Sequence, residues 1–337
     1  IFNYNIESKY IYNKQWVIHL FEKINFPALP SPIYILKSSS LGFNEIKPNI
    51  IHIEVDPFHP LFIQVYLYKM IFIPKAKIIC TIKQNTYTSR NFFIDMIKDK
   101  IAIFFSRKVD HFIAVNKGVK ELYNIRFKVP NNKISFSTQL GVDINHFYSL
   151  DPIIDKEILS IGYVGRLIDY KGVLDLVNAV DRMNSNGSKL KLILLGDGPL
   201  KQELISKSKK NSWLSVLGPI PHDKVVDFLV KLDIFVMPSR NLKYHEEHDS
   251  HALMEAMSVG VPAIATKSGS NTEVLSDAGI LIKPNNIKEM ICAIKKFEND
   301  LGLRKYLSKK ARDRITKYYS IKSVALNYKN IYEKLNV

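Results

Sequence analysis

Cysteine is almost missing from this chain. Only Cys80 and Cys292 occur in 337 residues, which excludes a disulfide scaffold and a four-cysteine zinc site and fits a reducing compartment. No apolar run is long enough to cross a bilayer. The longest, around Pro60–Pro74, is broken by Gln64 and Lys69 and falls short of the roughly 20 residues a spanning helix needs. No signal peptide is visible, and the chain starts at Ile1 rather than Met. Internal repeats and low-complexity tracts are also missing. Arginine is scarce, nine of 48 basic residues. Acids number only 32, leaving a formal net charge of +16.

What is present is 46% hydrophobic residues over a length suited to two domains, each large enough to bury a core. The charge favours anionic partners: nucleic acid, an acidic membrane face or phosphorylated small molecules. It is spread evenly, 19 basic against 10 acidic residues in 1–150 and 29 against 22 thereafter. With no basic tail, recognition helix or aromatic RNA-binding motif, a nucleic-acid partner is not expected. Lys98, Lys100, Arg107 and Lys108 gather around one helix; a solvated helix face is the expected reading of them in a lysine-rich chain, ahead of a seat on an anionic membrane face.

From residue 155 onward, apolar runs of four to seven residues alternate with helical periodicity. Strands are expected at Ile158–Val164, Leu190–Leu195, Leu214–Leu217, Ile234–Met237, Pro262–Thr266 and Gly279–Ile282. Helices are expected at Gly172–Met183, Leu200–Lys210, Asp223–Lys231 and Ser250–Val259, then to the end. The first half repeats the pattern with strands at Ile33–Leu36, Ile50–Val55, Ala76–Ile82, Phe112–Val115 and Ile134–Ser137. Its helices are expected near Leu61–Ile71, Asn91–Phe105 and Gly118–Tyr123. Such alternation means parallel sheets buried on both faces. The expected fold class is α/β, two doubly wound Rossmann-like domains facing across a cleft. The polar segment Ser149–Lys156 marks the boundary. Domains are therefore expected at 1–150 and 151–318, with 319–337 as a helix crossing back to the first.

In doubly wound sheets, ligands sit outside the carboxyl ends of strands. Three post-strand segments carry chemistry there. Gly165-Arg166-Leu167, followed by Lys171-Gly172, puts two cations beside a helix start, which already favours anions. Gly196-Asp197-Gly198-Pro199 reads as a tight turn into a helix. Glu247-His248-Asp249-Ser250-His251-Ala252 leads into a helix that carries Glu255 and stops at Gly260, with Asp249 or Ser250 as its cap. Two carboxylates beside exposed helix amides suit a ligand that has both hydroxyls and an anion. His248 and His251 lack the further partners a zinc site requires, so no metal is expected.

Taken in order, these segments resemble a retaining glycosyltransferase of family 4, with the two-domain GT-B fold. The run continues through Val216-Leu-Gly218, Asp233 to Ser239, the Glu247/Glu255 pair, Ser268 to Glu273 and a Tyr318–Tyr332 tail. Gly141-Val142-Asp143 with Phe147 resembles the segment closing the family's first domain. The resemblance implies that Arg166 and Lys171 hold the diphosphate of a UDP- or GDP-sugar and that Glu247 contacts the sugar. By the same resemblance Glu255 bonds the ribose hydroxyls, and the backbone from His248 to Ala252 lines the sugar and phosphate. Gly165, Gly196 and Gly198 fall on the donor side, and the base lies near Gly218. On the acceptor side the implied residues are Gln84 and Asn85, where many members have a histidine.

The implied reaction keeps the anomeric configuration, needs no cofactor or metal, and transfers the sugar to a saccharide or lipid-linked acceptor in surface polysaccharide or glycolipid assembly. The expected location is cytoplasmic; the basic helix around Lys98–Lys108, not the resemblance, raises a peripheral place on the inner membrane face as an addition. Two departures stand out. His248-Asp249-Ser250 replaces the usual glycine after the first glutamate, and the family's first strand with its glycine-rich loop is not recognisable before Ile33. Truncation or divergence there keeps open a non-catalytic sugar-nucleotide-binding protein; a GT-B epimerase or phosphorylase is the alternative from another enzyme class.

Overall fold

The structure, a computed structural model, describes residues 8–12, 15–19, 47–83, 92–148, 153–242, 246–247 and 250–335. The chain divides into two units: residues to Gln139 together with those from Asn327, and Leu140–Leu326. The expected strand at Ile33–Leu36 lies outside the described residues. Among them, no helix is long and apolar enough to cross a membrane.

The first unit contains an antiparallel hairpin, β1 (Ser8–Tyr12) and β2 (Gln15–His19), and a four-stranded parallel sheet. Its strands are β3 (Ile50–Ile53), β4 (Lys77–Ile82), β5 (His111–Ala114) and β6 (Ile134–Phe136), paired in chain order. Crossovers run through α1 (Pro60–Phe72), α2 (Phe92–Ser106) and α3 (Lys117–Ile125). The helix starts are local chemistry. His59 accepts from the Leu61 amide with Pro60 at the first position, and Asn116 accepts from Val119 N at 2.9 Å. Strand alternation decides what each face packs. On β4, Ile78, Cys80 and Ile82 join the core with α1 and α3 residues, whereas Ile79 faces Ile331 together with Ile50 and Ile113.

The second unit is a six-stranded parallel sheet in the order β12-β11-β10-β7-β8-β9. These strands are β7 (Leu159–Val164), β8 (Leu190–Leu195), β9 (Leu214–Leu217), β10 (Ile234–Met237), β11 (Ala263–Thr266) and β12 (Ile280–Ile282). The helices are α4 (Val173–Ser185), α5 (Lys201–Ser208), α6 (Val225–Leu229), α7 (His251–Ser258), α8 (Ser270–Leu275), α9 (Ile287–Asn299), α10 (Leu301–Tyr318) and α11 (Ile321–Leu335). The last helix continues past the unit boundary, its residues from Asn327 belonging to the first unit. Two cores cover the two sheet faces, one around Ile161, Leu192 and Leu176, the other around Phe235, Met254 and Leu275. Each such side chain, fully removed from water, contributes about 1.5–3 kcal/mol before entropy.

The first unit ends at Gln139, eleven residues before the expected end at 150. Val142 N donates to Tyr319 O at 2.8 Å, Ile321 N donates to Val142 O at 3.0 Å, and Val142 and Phe147 are buried in a core of the second unit. Apolar burial and this bridge, rather than loop polarity, set the division. The return is likewise at Asn327 instead of 319.

Candidate functional site

Strand order in the second unit reverses between β7 and β10, which are neighbours although β8 and β9 continue away from β7. That reversal is where doubly wound sheets bind ligands. The segments after β7, β8, β10 and β11 all emerge at this carboxyl edge.

The segment after β7 is fixed against the one after β8. Gly165 N donates to Leu195 O at 3.0 Å and Leu167 N donates to Asp197 O at 2.8 Å. Asp197 accepts from its neighbour Gly198 N at 2.8 Å, and this hydrogen bond with Lys201 holds its carboxyl below the usual range. Gly196 N reaches Leu217 O at the end of β9, where Gly218 follows. Tyr163 Oη donates to the Arg166 carbonyl at 2.7 Å, and burial with the nearby Glu247 charge holds that phenol protonated. The Arg166 guanidinium stays exposed, with Nη1 3.2 Å from Tyr170 Oη.

Across the reversal, Lys171 Nζ lies 2.7 Å from both carboxylate oxygens of Glu247. Both side chains are largely buried, 17% and 4% exposed, so neither charge is tolerable without a partner. Ser239 Oγ donates to Glu247 Oε2 at 2.6 Å. The backbone of Glu247 is clamped as well: its amide donates to Ser268 Oγ and its carbonyl accepts from Ser270 N at 2.8 Å. Two glycines make this approach possible. Gly172 has φ +69° and a Cβ there would stand 2.0 Å from Pro238 O, while Gly269 has φ +45° and its Cβ would stand 1.9 Å from Glu247 O.

Helix α7 starts at His251. Ser250 occupies the cap position, but its hydroxyl makes no bond to the helix. It bonds Ser270 Oγ at 2.8 Å and Asn271 Oδ1 at 2.6 Å instead. Ser250 is thus the cap residue by position, as expected, but two buried polar groups take its hydroxyl in place of a helix amide. Glu255 is buried rather than solvated, and its Oε1 lies 2.7 Å from His222 Nε2 in the turn after β9. Ala252 packs partly buried against the core. His248 and Asp249 lie outside the described residues, as do Gln84 and Asn85.

Three groups were not expected from the sequence. Arg240, just past Pro238-Ser239, is bidentate to Asp175 at 2.7 and 2.8 Å and bonds both Asp169 oxygens at 2.8 and 2.9 Å. Its amide also donates to Tyr170 O. It pins the turn that presents Lys171. His222 is the second, through Glu255. The third lies in the first unit, where Asp56 follows β3 and accepts from Tyr123 Oη at 2.5 Å. Burial pushes its carboxyl up to about 6, against the Tyr123 hydrogen bond and the pull of Lys83. Beside it, Glu54 accepts from Gln139 Nε2 at 2.6 Å, and Lys83 Nζ is 3.6 Å away. An arginine in an arginine-poor chain was the one available signal for Arg240.

Comparison with known proteins gives similarity of sequence and of fold. Residues 152–314 match the family described as glycosyl transferases group 1. An uncharacterized glycosyltransferase of Methanocaldococcus jannaschii, MJ1069, is 27% identical over 258 residues, which are 71% of this chain and 64% of that protein. The putative teichuronic acid biosynthesis glycosyltransferase TuaC of Bacillus subtilis is 31% identical over 139 residues, 41% of this chain and 32% of that one. The chain thus spans less than two thirds of these relatives. The solved structure of Anabaena Alr3699/HepE in complex with UDP superimposes with a TM-score of 0.71 at 15% identity, covering 86% of this chain and 79% of that one. At that identity the likeness shows the fold, GT-B, built of two Rossmann-like units. Over residues 152–314, just under half of its length, the chain is similar to the glycosyl transferases group 1 family.

Proposed function

We propose that the second unit holds a nucleotide-sugar donor, a UDP- or GDP-sugar, and that the protein transfers its sugar to a saccharide or lipid-linked acceptor in polysaccharide or glycolipid assembly. The observation that carries this reading is the buried Lys171–Glu247 pair at the strand-order reversal, with Glu255 buried on the helix that follows. In the donor complex Lys171 and Arg166 take the diphosphate, Glu247 turns to the sugar hydroxyls, and Glu255 takes the ribose. Gly165, Gly196 and Gly198 allow the backbone near the phosphates, with the base against Gly218. The amides at the start of α7 add fixed partial positive charge.

The chemistry follows from where charge develops. The bond from the anomeric carbon to the diphosphate oxygen breaks, and the acceptor hydroxyl oxygen forms its bond on the same face. Its proton passes to the departing phosphate oxygen. Charge accumulates on the diphosphate, so preorganised cations lower the barrier without a metal. Retention rests on the family resemblance. The name of TuaC, a putative teichuronic acid biosynthesis glycosyltransferase, supports a role in polymer assembly.

Thermal melts with UDP, GDP, ADP, CMP and dTDP test the donor site, on wild type and Arg166→Ala. A ligand at about 100 times its Kd adds about 2.7 kcal/mol, a shift of several degrees for this size. One nucleotide is expected to raise the melt of wild type and lose that effect in the variant. No shift with any of them at millimolar concentration overturns the reading.

A further inference from the structure

Arginine is scarce in this chain, and most of the described arginines are engaged. Arg126, Arg240 and Arg304 are each paired with an aspartate, while Arg312 and Arg314 donate to carbonyls in the last turns of α7 and α8. Arg166 differs. Its guanidinium is exposed beside the strand-order reversal and meets no acid among the described residues. The group against it is a phenol rather than a carboxylate, with Nη1 donating to Tyr170 Oη at 3.2 Å.

That phenol is built into the turn that carries the other cation of the site. Asp169–Lys171 form one 3₁₀ turn, and its three side chains reach three different segments. Asp169 bonds Arg240 after β10, Tyr170 bonds Arg166 after β7, and Lys171 bonds Glu247 ahead of α7. The Tyr170 carbonyl accepts from Arg240 N at 2.8 Å, so the backbone under the ring is fixed independently of its hydroxyl. Arg166 is also held at its main chain, where its carbonyl accepts from the fully buried Tyr163 at 2.7 Å. One tyrosine anchors the backbone of Arg166 and another its guanidinium.

An exposed arginine otherwise samples many rotamers, and ordering such a side chain on binding weakens affinity by roughly two- to tenfold. With Nη1 on the phenol, the Nε and Nη2 edge is the pair that suits a bidentate phosphate contact. A carboxylate in place of the phenol would hold the guanidinium as firmly, but it would compete with an incoming anion. A hydroxyl orients the cation without neutralising it. Resting on the donor site proposed above, we infer that Tyr170 is a positioning residue for the diphosphate. It presets the Arg166 guanidinium and so sets the preference for a nucleoside diphosphate over the bare nucleoside.

A double-mutant cycle of Tyr170→Phe, which removes the hydroxyl and keeps the ring, with Arg166→Ala is the test. Uridine and guanosine diphosphates are titrated by ligand-detected NMR, which follows millimolar affinities, with uridine and guanosine as phosphate-free controls. In the wild-type background Tyr170→Phe is expected to weaken diphosphate binding about three- to tenfold. Nucleoside binding and the melting of the free protein should not move. In the Arg166→Ala background the same substitution should have no further effect. Unchanged diphosphate affinity in Tyr170→Phe overturns the inference. So does an equal loss with the nucleoside, which is a loosened turn, and so does the same loss in both backgrounds, which means that Tyr170 does not act through Arg166. If neither diphosphate binds the wild type, the donor reading fails and this inference with it, a result distinct from the other three.

Discussion

Glu247 and Lys171 neutralise each other in the structure, and that pairing has consequences for binding. In the proposed donor complex a diphosphate replaces the carboxylate on Lys171, so the site would exchange one anion for another. Glu255 faces a similar accounting, with the His222 ring against its carboxylate. Replacing His222 with Ala should weaken nucleotide binding by about three- to tenfold, because a buried carboxylate loses an orienting partner, with little change in melting of the free protein; titration calorimetry checks this. Asp56 makes a prediction of opposite character. Its folded pKa, about 6, is above the ordinary value of 3.8. The folded state therefore holds the extra proton between those values, and the stability this adds is full below pH 4 and lost as pH rises through 6. Asp56→Asn keeps an acceptor for Tyr123, and relative to wild type it should gain up to about 3 kcal/mol on going from pH 4 to pH 8. Denaturant titrations at the two pH values measure it.

Among the elements, the turn from Asp169 to Gly172 concentrates the constraint. Arg240 ties it to Asp169 and to the largely buried Asp175 in the first turn of α4. Arg240→Ala strands Asp175, which should cost about 3 kcal/mol and weaken nucleotide binding together. Gly172→Ala places a Cβ against Pro238 O at a positive φ and should cost about 3 kcal/mol or more; chemical denaturation reads both. Most of these elements could be read from sequence, since apolar runs and 3.6-residue periodicity are local. Helix α8, SNTEVL, was not, because six residues between two loops carry too little periodicity. Arg240 and His222 were not legible as site residues either. Their partners are 65, 71 and 33 positions away, and side-chain pairing over such distances leaves no pattern in the chain. Glu247, Lys171 and Arg166 were legible as candidates because each lies in a segment that follows a strand at one sheet edge.

For the whole molecule, the division into units depends on both ends of one helix. Residues from Asn327 pack Ile331, with Tyr328 and Tyr332 beside it, on Ile50, Ile79 and Ile113 of the first unit's sheet. Tyr332 Oη also lies 2.8 Å from the buried His52. Removing 327–337 should uncover that sheet face and loosen the first unit by several kcal/mol, at about 1.5–3 kcal/mol per buried side chain. Hydrogen exchange would then rise in β3, β4 and β5 while β7 and β10 keep their protection. The placement of Val142 and Phe147 with the second unit makes the complementary point: burial, rather than sequence polarity, decides where a unit begins.

The most direct test of the central claim, that Lys171 and Glu247 form a nucleotide-diphosphate site, is a calorimetric titration with the nucleotide that raises the melt most. Wild type, Lys171→Ala and Glu247→Gln are compared at low salt. Loss of the lysine should weaken binding at least about tenfold, the loss of one charge-assisted hydrogen bond. Glu247→Gln should bind the free nucleotide as tightly as wild type or tighter, since the diphosphate no longer competes with a carboxylate for Lys171. Unchanged affinity in Lys171→Ala, or an equal loss in both variants, would contradict the account.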